Sequence, residues 1–176
     1  MKEWTLTTKK KMLTTLACLI AAGVLGYLET LIPPLFASLP FLRVELGVLF
    51  ALFVLFAYSP LEAIIVYGVR SIVFGLVLDD GFAILWSLLS ASAAMVAGWA
   101  MLRTRKFSPL FIGAGIGLIY AFVYTAFACI SAARATPFAL LDKTMAFYTV
   151  DYLVMGALAA VALRYIPERW IIDRQK

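Results

Sequence analysis

Five ionisable residues fall inside or at the edges of strongly apolar stretches: Glu29, Arg43, Glu45, Arg70 and Asp151. A charge at bilayer depth costs on the order of 3 kcal/mol on insertion scales, so each calls for an opposite charge or a wet cavity. Arg70 offers a planar fork of donors that matches carboxylates. At helical spacing it shares a face with Tyr67 and Phe74, while Asp151 shares one with Phe147, Tyr148 and Met155. An Arg fork, carboxylates and aromatic faces together suit a flat, polar metabolite. Trp86 and Ser90, four residues apart, are candidates for the same lining, although Trp also serves as an interfacial anchor. Two readings of the charges stand. In one, Arg70 pairs with Glu29 or Asp151 and locks helices together. In the other, the charges line a solute site, which the weak stabilising power of buried ion pairs favours.

Other chemistries are excluded by residue type. The chain has no histidine, so His proton relays, His metal sites and Ser-His or Cys-His nucleophile pairs are absent, and the lack of soft nitrogen ligands argues against nickel or cobalt uptake. Cys18 and Cys129 both lie in apolar runs and read as small core residues. Gly113-Ala114-Gly115-Ile116-Gly117 superficially looks like a nucleotide loop, but it sits inside a membrane run and reads as a close-packing face. Asp79-Asp80-Gly81 reads as a tight turn. No nucleophile and base pair and no metal set appears, so the chain is expected not to be an enzyme and to need no cofactor.

The elements that must hold these residues are membrane helices. Of 176 residues, 64% are hydrophobic and 14% charged, with a mean hydropathy of +0.99; a soluble domain carries about 25% charge. Apolar stretches at about Met12–Ile32, Leu42–Tyr58, Leu61–Leu78, Phe82–Leu102, Pro109–Ile130 and Met145–Tyr165 predict six helices in a single all-α membrane domain. Pro40, Arg43 and Glu45 interrupt the second, which predicts irregular first turns. The first apolar run is long for a signal peptide and is expected to be a retained helix. It also carries small residues at Ala17 and Ala21 and at Ala22 and Gly26, the spacing that lets helices approach closely.

Cations set the expected orientation. Lys2, Lys9, Lys10 and Lys11 precede helix one, Arg103, Arg105 and Lys106 follow helix four, and Arg164, Arg169, Arg174 and Lys176 follow helix six. The opposite face holds Arg43, Arg134 and Lys143, with Asp79, Asp80 and Asp142. Both termini are therefore expected in the cytoplasm. The net charge of +5 then reflects topology and implies no nucleic-acid partner. Glu29, Arg43, Glu45 and Asp151 fall in the outer half under this topology, and Arg70 reaches toward it by snorkelling.

Three stretches resemble a family of small bacterial membrane proteins, the Gx transporters, also labelled heptaprenyl diphosphate synthase component I. They are Leu28-Glu29-Thr30-Leu31-Ile32-Pro33, Arg43-Val44-Glu45-Leu46-Gly47, and Glu62-Ala63-Ile64-Ile65-Val66 with Arg70-Ser71 and Gly75. The second half is similar in hydrophobic layout, span count and a basic loop. The family belongs with the substrate-binding S components of energy-coupling factor (ECF) transporters. The resemblance implies a six-helix S component in the bacterial cytoplasmic membrane that captures a vitamin-like or cofactor-precursor solute from outside. Its implied partners are a transmembrane coupling subunit and cytoplasmic ATPases. Docking through small residues of helix one would fall to Ala17 and Ala21, with Ala22 and Gly26 on the same helix. Prenyl-synthase chemistry is not expected, because Asp79-Asp80 is a single acidic pair without the Asp-Asp-x-x-Asp pattern that holds magnesium. The competing expectation is a structural or assembly subunit with no ligand of its own.

Overall fold

A computed structural model of the protein describes residues 2–33, 44–78, 81–132 and 137–165, with side chains from Lys9 onward except at 82–83, 128–140 and 142. Arg43, Asp79, Asp80, Arg134 and the tail beyond Tyr165 lie outside the described residues, as do the side chains of Cys129 and Asp142. The described chain is all-helical: α1 (Lys2–Leu31), α2 (Val48–Ala57), α3 (Pro60–Leu78), α4 (Gly81–Arg103), α5 (Pro109–Ala132) and α6 (Pro137–Tyr165). All but α2 are long and apolar enough to cross a membrane. The protein is thus a multi-pass membrane protein.

Proline opens α3, α5 and α6, where its missing N–H removes no helical bond and its fixed φ suits the first turn. Helices α1 and α6 begin earlier than the apolar runs suggest, because hydropathy marks membrane depth whereas helical hydrogen bonding continues into polar sequence. The larger difference is in α2. Apolarity from Leu42 predicts a helix of spanning length, yet the observed helix has 10 residues, about 15 Å at 1.5 Å per residue, against a hydrocarbon core of ~30 Å. Its start is delayed because Glu45 and Gly47 donate their backbone N–H groups to the side chains of Asp151 and Glu29 rather than to a preceding turn. Irregular backbone at membrane depth is tolerated where protein surrounds it, and α2 packs against α1, α3, α4 and α6. Val48, Ala51, Leu52 and Val54 are fully buried, as an all-round apolar helix requires.

Around α2, the most extensive helix contacts are α5 with α6, α1 with α3 and α4 with α5. The glycine face of α5 meets α6 directly: a Cβ on Gly113 would stand 2.6 Å from the carbonyl oxygen of Tyr152 and 3.3 Å from the Cα of Gly156. Hydroxyl pairs link neighbouring helices in the same apolar surroundings, Ser71 with Ser87 between α3 and α4 and Thr125 with Thr144 at 2.9 Å between α5 and α6. The long aliphatic side chains of α1, including Leu13, Leu16, Ile20 and Val24, are exposed, as expected of a lipid-facing surface.

Gly113→Val should destabilise the fold by about 1–3 kcal/mol through overpacking, seen as a lower unfolding midpoint in detergent. Gly81→Ala, where an added methyl meets nothing within 4 Å, should hold or raise that midpoint.

Candidate functional site

Arg70 is the centre of the site. It lies in the middle of α3 and is 2% exposed, beside fully buried Glu29 from α1 and Glu45, 4% exposed, from the segment before α2. Two close approaches bring these elements together. A Cβ on Gly26 would lie 2.9 Å from the Arg70 carbonyl oxygen, and one on Gly47 would lie 2.6 Å from Arg70 Cγ and 3.2 Å from the Ala22 carbonyl oxygen. Glycine at both positions lets α1 and the Val44–Gly47 segment close on the arginine stem.

The guanidinium bridges both glutamates. Arg70 Nε donates to Glu29 Oε2 at 2.7 Å, its Nη2 pairs with the same oxygen, and Nη1 donates to Glu45 Oε1 at 3.3 Å. The other oxygen, Glu29 Oε1, accepts the Gly47 backbone N–H at 2.6 Å. Glu45 is then surrounded by donors. Tyr120 donates to its Oε1 at 3.0 Å, and Tyr152 and Tyr67 donate to its Oε2 at 2.8 and 3.1 Å. Three hydroxyls and a guanidinium on one carboxylate fill the acceptor positions that an ionised carboxylate offers. They draw α2, α3, α5 and α6 onto a single side chain.

Asp151 of α6, 8% exposed, completes the arrangement by accepting the Glu45 backbone N–H on Oδ2 at 3.1 Å. Glu29 and Asp151 therefore both serve the chain entering α2, where the helix N-terminus favours negative charge. Aromatic rings close the surroundings. Phe74 and Tyr67 lie 4.9 and 5.5 Å from the Arg70 guanidinium carbon. Tyr120 stacks on Tyr152 at 5.2 Å and meets Tyr148 edge to face at 4.9 Å. The result is a buried carboxylate-binding cage, one guanidinium and three phenols, occupied by the protein's own Glu45.

Of the residues singled out from sequence, Arg70, Glu29, Glu45, Asp151, Tyr67, Phe74 and Tyr148 converge here, whereas Arg43 is outside the described residues. Trp86 takes no part in the hydrogen-bonded cluster. It stacks on Phe127 at 4.7 Å, and its Nε1 is buried without a hydrogen-bond partner among the described residues. Ser90 donates to the Trp86 carbonyl within α4 at 2.7 Å. Tyr120 and Tyr152 were not anticipated. Their signal was available: tyrosines deep in a span, rather than at its ends, carry a hydroxyl that needs a partner. On α1, Ala22 and Gly26 are buried within the bundle, Ala21 is half-buried and Ala17 is exposed. The chain matches no protein-family model, no curated protein and no solved structure.

Arg70→Met should cost about 3–5 kcal/mol, because it leaves two buried glutamates without their cation. Tyr152→Phe should cost only about 1 kcal/mol, since three donors to Glu45 remain. Equilibrium unfolding of the purified protein checks the order, and equal losses would contradict it.

Proposed function

We propose that this protein is the solute-binding membrane subunit of an ECF-type importer, taking up a small vitamin-like or cofactor-precursor solute through a six-helix bundle. In this reading it resides in the bacterial cytoplasmic membrane with both termini inside and works with a transmembrane coupling subunit and cytoplasmic ATPases. The observation that carries the proposal is the cage around Glu45: a guanidinium and three tyrosine hydroxyls converge on one carboxylate supplied by a short non-helical segment. Cages of this kind at membrane depth belong to solute and ion pathways more readily than to packing, because apolar residues would serve packing as well.

The geometry also supports a way of working. Glu45 enters on Val44–Gly47, held by backbone hydrogen bonds to two carboxylates. Displacing that one segment would withdraw Glu45 and bare Arg70 with the Tyr67, Tyr120 and Tyr152 hydroxyls. An anionic group of the solute would then take the vacated position, and the stacked tyrosines would take its flat body. Glu29 and Asp151, released from the backbone, would face any cationic or hydrogen-bond-donating part. Ala17, exposed on α1, is the position from which the coupling subunit would be met; Ala22 and Gly26 already serve contacts inside the bundle.

A second reading has its own support. Glu29, Glu45 and Arg70 satisfy one another in the present arrangement, which is what a structural or assembly subunit with no ligand requires.

Mass spectrometry of small molecules released from gently purified protein separates the two. A stoichiometric metabolite is expected with the wild type and with Ala17→Leu. It should fall about fivefold in Tyr120→Phe, the consequence of losing one hydrogen bond worth roughly 1 kcal/mol, while that variant stays folded. A wild-type protein that releases no metabolite, together with partner loss in Tyr120→Phe, would support the assembly reading instead.

A further inference from the structure

A cavity of about 1000 Å³ opens at the end of the bundle opposite the Glu45 cage, between the last turns of α2, α4 and α6 and the start of α5. Its size is at the upper end of small-ligand sites. The walls are apolar: Leu55 and Leu163 are nearly fully buried, and Phe56 and Val161 continue the surface outward. The mouth is basic. Arg103, Arg105 and Arg164 all line it and all are exposed, with the Ser108 hydroxyl beside them, and no carboxylate is among the described lining residues. Trp99 lies half-buried in the wall with the Arg103 guanidinium carbon 3.9 Å from its ring centroid, an arrangement suited to the membrane interface.

The backbone at Arg105 is a second, independent observation. Arg105 has φ of 53°, the one positive φ outside glycine among the described residues. It follows the last turn of α4, with its N–H donated to the Leu102 carbonyl at 3.1 Å. Glycine is the residue favoured at this left-handed position after a helix, and a side chain there carries a steric cost. An arginine placed there against local preference adds a third cation to a mouth already holding two.

We propose that this cavity is a binding site for an anionic phospholipid of the bordering leaflet, with its phosphate at Arg103, Arg105 and Arg164 and an acyl chain against the apolar wall. An apolar groove with a basic rim at the membrane surface has the complementary form of an amphiphilic anion. The short α2 leaves the space: it ends in the wall at Leu55, Phe56 and Tyr58. The site is separate from the Glu45 cage, and its occupancy does not depend on what that cage binds.

Native mass spectrometry of the full chain in detergent, titrated with dioleoylphosphatidylglycerol or dioleoylphosphatidylcholine, tests this. One phosphatidylglycerol should be retained, in preference to phosphatidylcholine by about tenfold, the equivalent of one charge-assisted contact. The preference should vanish in the Arg103→Gln/Arg105→Gln/Arg164→Gln variant. Ala160→Phe, which fills the apolar wall and leaves the arginines, should also lose the lipid. Arg105→Gly separates binding from folding: it should raise or hold the unfolding midpoint by relieving the backbone, yet weaken phosphatidylglycerol retention. Equal retention of the two lipids, unchanged retention in the triple variant, or displacement of the lipid by millimolar inorganic phosphate would each overturn the proposal. The last would assign the arginines to a free anion.

Discussion

A guanidinium buried among membrane helices has no water to satisfy it, and the placement of the surrounding elements answers to that constraint. Arg70 on α3 obliges Glu29 on α1 and Glu45 ahead of α2 to come within hydrogen-bonding distance. Neither carboxylate is satisfied by the arginine alone. Glu29 takes a backbone N–H from Gly47, and Glu45 takes hydroxyls from α3, α5 and α6. One charge at bilayer depth thereby recruits five of the six helices, directly or through Glu45. Helix α4 joins by other means, through the Ser71 and Ser87 hydroxyls and its contact with α5.

The same constraint explains why α2 is half the length of a span. A continuous helix through Glu45 and Gly47 would satisfy their N–H groups internally and leave Glu29 and Asp151 with fewer donors in an apolar interior. Starting the helix only at Val48 exchanges two helical hydrogen bonds for two to buried carboxyl groups that would otherwise lack those donors. The cost is a stretch of non-helical chain inside the bundle. That stretch is tied to the cluster by side chains rather than by a helical ladder. The closure of the cage and the shape of α2 thus share one physical origin.

The two ends of the bundle differ in how they treat charge. At the cage, cations and anions are buried and paired. At the other end, Arg103, Arg105 and Arg164 surround an apolar cavity and stand exposed. Exposed arginines at a membrane surface keep their long-range field, whereas Arg70 expends its own within a few ångströms. Close helix contact is handled separately, by small residues. Gly113 and Gly117 of α5 lie against the α6 backbone, and Ala22 and Gly26 of α1 lie inside the bundle. Ala17 is turned outward on the same helix.

Much of the fold was legible in the sequence, because hydropathy responds to a slab of known thickness and needs no knowledge of neighbours. Five spanning helices, the irregular entry into α2 and the packing role of Gly113–Gly117 all follow from residues near in the chain. The intramembrane charges announced themselves by their cost, so Glu29, Glu45, Arg70 and Asp151 could be named without a structure. Their partnerships could not. A charge in an apolar run demands a partner without saying which, and Asp151 meets a backbone N–H where a guanidinium was the obvious candidate. Tyr120 and Tyr152 were missed for the same reason: a phenol in a membrane helix is ordinary until three of its kind and a carboxylate share one point. Composition and spacing determined that the chain lives in a membrane and carries buried charge. Tertiary structure alone decided that this charge closes on Glu45, because hydrogen bonds reach across helices and a sequence pattern extends only along one.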